Sequence, residues 1–202
     1  MMTLYDFMGS GNGYKVRLLL AQLGSPFKLV ECDILKGETR TPEFLAKNPN
    51  GRIPALQLDD GTYLAESDAI LWYLAEGTRF LPDDRRLRAE VLQWMFFEQY
   101  THEPNIATVR YWITHAVPMT PLIELSIPAK RAQGAAALGV MERHLARRTF
   151  FVGERYTIAD IALYAYTHVA GEGGFDLAPY ENVRAWLARV AAQPGYVPIT
   201  RG

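Results

Sequence analysis

Over residues 1–77 the apolar positions switch between two periods, one near two residues and one near 3.6, the signatures of half-buried strands and of helices with one buried face. Thr3 to Phe7 predicts a strand, and Val16, Leu19, Leu20 and Leu23, at i, i+3, i+4 and i+7, predict a helix that Gly24 closes. Phe27 to Cys32 predicts a second strand, followed by a short helical stretch led by Pro42. Ile53 to Leu58 and Thr62 to Leu64 then flank Asp60-Gly61, a strong hairpin signal, and another helix starts at Ser67 and carries Ile70, Tyr73 and Leu74. This order predicts an α/β domain over 1–77, in which a crossover makes the first two strands parallel and the hairpin adds an antiparallel pair.

Residues 78–85 are polar and contain a proline, which predicts a linker. Beyond it the strand period disappears. Leu87, Val91, Trp94 and Met95 form one helical stripe, Leu138, Met141 and Leu145 a second, Ile158, Ile161, Ala162 and Ala165 a third, and Val183, Trp186, Leu187 and Val190 a fourth. An all-α domain over 86–202 follows.

Composition narrows the function classes. The chain has 202 residues, 49% hydrophobic and 21% charged, typical of a folded globular protein. Its 21 Lys+Arg against 22 Asp+Glu leave a formal charge of −1, so there is no basic field for a phosphate backbone and no nucleic-acid partner is expected. The longest apolar run, Ala69 to Ala75, is far short of the roughly 20 residues that cross a bilayer, and Asp6 interrupts any leader-like start, so neither a membrane partner nor a targeting segment is expected. The single cysteine, Cys32, excludes an internal disulfide and a Cys-x-x-Cys motif and points to a reducing, cytoplasmic setting. Its acidic neighbours Glu31 and Asp33 would raise its pKa, so it reads as a buried structural thiol. His102, His115, His144 and His168 never pair at i, i+4, so no metal site is expected.

The chemistry-bearing patterns lie mostly in the first domain. Gly9-Ser10-Gly11-Asn12-Gly13 follows a strand and opens a helix but lacks the dinucleotide-binding spacing, which disfavours a nicotinamide cofactor. Ser10 and Asn12 are nevertheless at a helix N-terminus, where backbone N–H groups and the helix dipole favour an anion such as a thiolate; both are also ordinary N-cap residues. Asn48-Pro49-Asn50-Gly51-Arg52-Ile53-Pro54-Ala55-Leu56 ends a loop with a proline entering a strand, a place suited to a cis Ile53-Pro54 bond. Leu64-Ala65-Glu66-Ser67-Asp68-Ala69-Ile70 puts Glu66 and Ser67 at a helix start.

With these residues in view, the chain resembles the glutathione transferase family over nearly its whole length. The resemblance rests on the Asn-Pro-x-Gly-x-Ile-Pro-x-Leu loop, the Glu-Ser-x-Ala-Ile helix start, and Tyr156-Thr157-Ile158-Ala159-Asp160 in the helical domain. It implies a thioredoxin-like first domain, an all-helical second domain and a cytoplasmic homodimer that takes glutathione as co-substrate, with no resident cofactor, beside a pocket for a small hydrophobic electrophile. It further implies that Ile53 and Pro54 hold the cysteinyl part of glutathione and that Glu66 and Ser67 hold its γ-glutamyl end. A carboxylate suits the free α-amino group, and a hydroxyl with a backbone N–H suits the α-carboxylate. Arg52 and Lys36 are candidates for the glycyl carboxylate, although exposed charges of this kind are usually just solvated.

Members of the family differ in whether Tyr, Ser, Asn or Cys activates the thiol, and this loop has no cysteine. Ser10 is the first candidate donor and Asn12 the second. For the electrophile pocket the candidates are Met8, Tyr14, Phe97, Tyr100, Arg110, Tyr111 and Phe175, set against the ordinary reading of aromatics at helical spacing as core. Thr157 and Asp160 have the spacing of a capping box, a folding role. Two other functions remain open: a non-catalytic binding module of the same fold, and a glutathione-dependent isomerase or peroxidase.

Overall fold

The computed structural model describes residues 1–201 and divides into two compact units, 1–78 with 193–201, and 79–192. In the first unit, strands β1 (Thr3–Asp6), β2 (Lys28–Glu31), β3 (Ala55–Gln57) and β4 (Tyr63–Ala65) form one sheet of order β2-β1-β3-β4. β1 runs parallel to β2 and antiparallel to β3, and β3 and β4 are the expected hairpin. Helices α1 (Gly11–Leu23), α2 (Pro42–Leu45) and α3 (Ser67–Ala75) complete the unit.

Strand alternation sorts the core into two layers. Leu4 and Leu56 point to one face, where Val16 and Leu20 of α1 and Ile70 of α3 cover them. Tyr5 and Ala55 point to the other, against Phe44 of α2 and Cys32. Asp6 shares the face of Leu4 and is therefore driven, fully buried, into the first turns of α1. Gly13 makes that approach possible, because a Cβ there would lie 1.6 Å from Asp6 Oδ1. Ser10 caps α1 through its Oγ, and Gly24 closes it in the left-handed conformation.

The second unit is entirely helical apart from one isolated bridge, Val152 to Arg155. It contains α4 (Arg85–Phe97), a π-turn at Glu98–His102, α5 (Glu103–Thr114), α6 (Pro121–Leu145), α7 (Ile158–Thr167) and α8 (Glu181–Ala191). The four sequence stripes fall on α4, α6, α7 and α8, and the stripe residues Val91, Leu138, Met141, Ile158, Ile161 and Trp186 are fully buried.

Two boundaries differ from expectation. The segment read as a linker is anchored: Phe80 and Leu81 are buried, Phe80 packs edge-on against Tyr156, and its carbonyl accepts from Ile158 N–H. Residues 193–201, expected in the helical domain, join the first unit, where Tyr14 Oη donates to Val197 O at 2.7 Å.

The capping box of α7 is present and does more than cap. Asp160, fully buried, accepts from Thr157 N–H and Thr157 Oγ1 on one oxygen, and from Phe151 N–H and Trp186 Nε1 on the other. Burial pushes its carboxyl up to about 6 even though these donors favour the ionised form. The folded-state value therefore exceeds the unfolded one, and Asp160's contribution to stability is present in full below about pH 4 and is lost as pH rises towards 6. Urea denaturation across pH 4 to 6 should show part of this downward slope disappearing in Asp160→Asn. The same substitution should cost about 1 to 3 kcal/mol, because an amide NH2 meets donors where a carboxylate oxygen accepted.

Candidate functional site

The pairings of β1 fix where the functional segments meet. Tyr5 pairs with Ala55, and Ala55 with Ala65, so the end of β1, the start of β3 and the end of β4 lie at one end of the sheet. The Phe7–Ser10 turn, the Ile53-Pro54 peptide and the Glu66-Ser67 start of α3 are thereby brought together, and the Ile53-Pro54 bond is cis as expected.

Two helix N-termini are linked here by side chains. Lys15 of α1, fully buried, donates to Ser67 Oγ at 3.3 Å and to Asp68 Oδ1 at 3.1 Å. Ser67 Oγ in turn donates to Asn12 Oδ1 at 3.4 Å, which leaves the amide nitrogen as the donor end of Asn12. Burial raises the Asp68 carboxyl, Lys15 opposes that shift, and nearby Glu66 adds to it. α3 has no side-chain cap, so backbone N–H groups of its first turn remain to receive an anion.

Glu66, at the N-cap position of α3, has φ 64° and ψ 116°, a region that costs a non-glycine residue about 1 to 3 kcal/mol. Its side chain is exposed, next to the buried Ser67. Ser10 Oγ accepts from Gly13 N–H at 3.3 Å and keeps its own proton to donate.

Other expected residues are placed as follows. Arg52 is exposed, and its carbonyl is held by Asn48 Nδ2. Lys36 is 77% exposed and pairs with Asp33 at 2.9 Å. Met8 is in the β1–α1 turn, where its N–H donates to Glu31 Oε1. Tyr14 corrects an expectation: it is fully buried with its hydroxyl on Val197 O, so it is a core residue and lines no open pocket. Phe175 is likewise core, wedged so close to Gly134 that a Cβ there would lie 2.5 Å from its ring.

The remaining pocket candidates belong to the helical unit. Tyr100 is 90% exposed in the π-turn, Phe97 packs edge-on to Trp94, and Tyr111 lies beside His115. Arg110 is buried and engaged with Glu172 at 2.7 Å. Cys32 is buried, and its thiol is pushed up to about 11, first by burial and then by Glu38, Asp6 and Glu31; Asp33 is not among the causes.

Sequence reading missed Lys15 and Asp68. A lysine beside Val16, within the stretch that forms the apolar face of α1, is the signal that was available.

Comparison with known proteins shows the family and the fold. A family model described as "Glutathione S-transferase, N-terminal domain" matches residues 1–76, and one described as "Glutathione S-transferase, C-terminal domain" matches residues 123–194. The chain belongs to the glutathione S-transferase family. It is 34% identical over 201 residues to the disulfide-bond oxidoreductase YfcG of Escherichia coli K12, covering 96% of this chain and 92% of that protein. A solved glutathione S-transferase from Pseudomonas fluorescens Pf-5 superposes with a TM-score of 0.96 at 50% identity, covering 99% of each chain. Ure2p in complex with glutathione superposes with a TM-score of 0.90 at 26% identity, covering 100% of this chain and 93% of that one.

The buried pair gives a stability test. Lys15→Met should cost about 3 to 5 kcal/mol, since it leaves the Asp68 carboxylate uncompensated. The double variant with Asp68→Asn should lose less than the two single losses combined, as measured by denaturant unfolding.

Proposed function

We propose that the protein is a glutathione transferase that binds the tripeptide in its first unit and adds the thiolate to small hydrophobic electrophiles. The observation that carries this reading is the Asn12–Ser67–Lys15 network, which joins the N-terminus of α1 to that of α3. One helix start serves the sulfur and the other serves the γ-glutamyl end.

Glu66 receives the α-ammonium group, while Ser67 and the uncapped N–H groups of α3 receive the α-carboxylate. The backbone of Ile53, oriented by Pro54, holds the cysteinyl part, and Arg52 is the better candidate for the glycyl carboxylate because Lys36 is occupied by Asp33. Ser10 and the Asn12 amide donate to the sulfur. A thiol with a free pKa of about 8.5 then gains reactive thiolate at neutral pH. Tyr100 and Tyr111 remain the electrophile-contacting candidates of the helical unit. The protein acts as a cytoplasmic homodimer without a resident cofactor.

A second reading is favoured by the 34% identity to a disulfide-bond oxidoreductase. Glutathione itself supplies both thiols. One thiolate attacks a disulfide and forms a mixed disulfide, releasing one substrate thiolate. A second glutathione thiolate then attacks the mixed disulfide, releasing the other substrate thiolate and leaving oxidised glutathione. Cys32, with its thiol held near 11, takes no part.

Glu66→Ala and Ser67→Ala should each weaken glutathione binding by about 1 to 3 kcal/mol in calorimetry, and unchanged affinity in both removes this site. Ultraviolet titration of bound glutathione should give a higher thiol pKa in Ser10→Ala and a smaller rise in Asn12→Ala; the reverse order exchanges their roles. Steady-state rates with aryl halides, enals, isothiocyanates, hydroperoxides and small disulfides separate the two enzymatic readings. Tight binding of glutathione without acceleration of any of them leaves a binding module.

A further inference from the structure

Arg17 is 1% exposed, and its guanidinium has four partners on three segments of the first unit. Nε pairs with Asp6 Oδ2 at 2.8 Å, and Nη2 donates to Met8 O at 2.7 Å. Nη1 donates to Ile199 O at 2.8 Å and to Arg201 O at 2.6 Å. One rigid, planar fork thus ties the turn after β1 to the segment 197–201.

That segment is held at further points along α1. Tyr14 Oη donates to Val197 O at 2.7 Å. Gly195, at φ 76°, lies so close to α1 that a Cβ there would be 2.9 Å from Gln22 Cα. The segment therefore follows α1 from Gln22 back towards Arg17, and its carbonyls supply what a buried guanidinium needs. Met8, held by Arg17 on its carbonyl and by Glu31 on its N–H, immediately precedes Gly9 and Ser10. The position of the Ser10 hydroxyl depends on where that carbonyl is pinned.

We propose that Arg17 is a positioning residue for the thiolate: by clamping segment 197–201 to the Met8 carbonyl, it fixes the turn that presents Ser10 and Asn12 to the sulfur. This inference rests on the glutathione reading above. Arg17 is buried with its guanidinium on protein acceptors, so it acts through the turn. A lysine keeps the charge opposite Asp6 but cannot reach Met8 O, Ile199 O and Arg201 O together.

Two variants test it. Arg17→Lys removes the fork. A chain ended after Val197 removes both carbonyl acceptors while keeping Arg17, Asp6, Met8 and the Tyr14 bond. Each is compared with the full chain by urea denaturation, by calorimetry with glutathione, and by ultraviolet titration of the bound thiol. The expected result is a bound-thiol pKa raised by about one in both, with glutathione affinity, measured at a pH below that of the bound thiol's titration, within about twofold of the full chain. If Arg17→Lys does not fold, the shortened chain decides alone; if neither folds, Arg17 serves the fold itself and the positioning proposal is overturned. A folded shortened chain whose bound thiol titrates as in the full chain overturns the proposal and leaves the glutathione reading standing. A full chain that binds glutathione without lowering its thiol pKa removes thiolate activation, and the positioning role with it.

Discussion

Helix α1 buries two cations, Lys15 and Arg17, and a buried charge is tolerated only when it is paired and hydrogen-bonded. Much of the candidate site at one end of the first unit follows from meeting that requirement. Lys15 draws the start of α3 to the start of α1 through Ser67 and Asp68. Arg17 draws in Asp6 from the sheet, Met8 from the turn and two carbonyls from segment 197–201. Gly13 is the concession that admits the Asp6 carboxylate to the helix, and burial still pushes that carboxyl up to about 6 despite Arg17.

With the cations satisfied, the two helix starts offer different donors. α1 presents a serine hydroxyl and an asparagine amide, while α3 presents a hydroxyl and bare backbone N–H groups. Both suit anionic groups, and the strained Glu66 sets its exposed carboxylate beside the second. Strain of this kind persists where the surroundings over-determine it, here by β4 on one side and the anchored first turn of α3 on the other. The protein's one thiol stays protonated in the core, so the reactive sulfur of the proposed chemistry comes from the ligand.

The helical unit rests on an analogous buried group with a different purpose. Asp160 gathers Thr157, Phe151 and Trp186 around one carboxylate, fixing the entry to α7 against the loop before it and the helix after it. Its role is structural, and the capping box explains why α7 starts where it does.

The sequence by itself determined the element order of residues 1–77, the parallel pairing of the first two strands, the hairpin, four helical stripes and the segments bearing Ser10, Asn12, Ile53, Pro54, Glu66 and Ser67, whereas the antiparallel β1–β3 pairing and the succession of α4, π-turn and α5 were not in it. These are local properties: periodicity, turn chemistry and caps operate over a few residues, and the three family motifs are contiguous. Only the tertiary structure decided that Lys15 and Arg17 turn inward, that Tyr14 is core rather than pocket wall, that Phe80 is anchored rather than part of a free linker, and that residues 193–201 return to the first unit. In each case the deciding partner is distant in the chain: Asp68 for Lys15, Ile158 for Phe80, Val197 for Tyr14 and Ile199 for Arg17. A charged or aromatic side chain has no local preference strong enough to announce such a partner. Its direction is set by the cost of burying an unpaired polar group, which is defined only once the chain has closed around it.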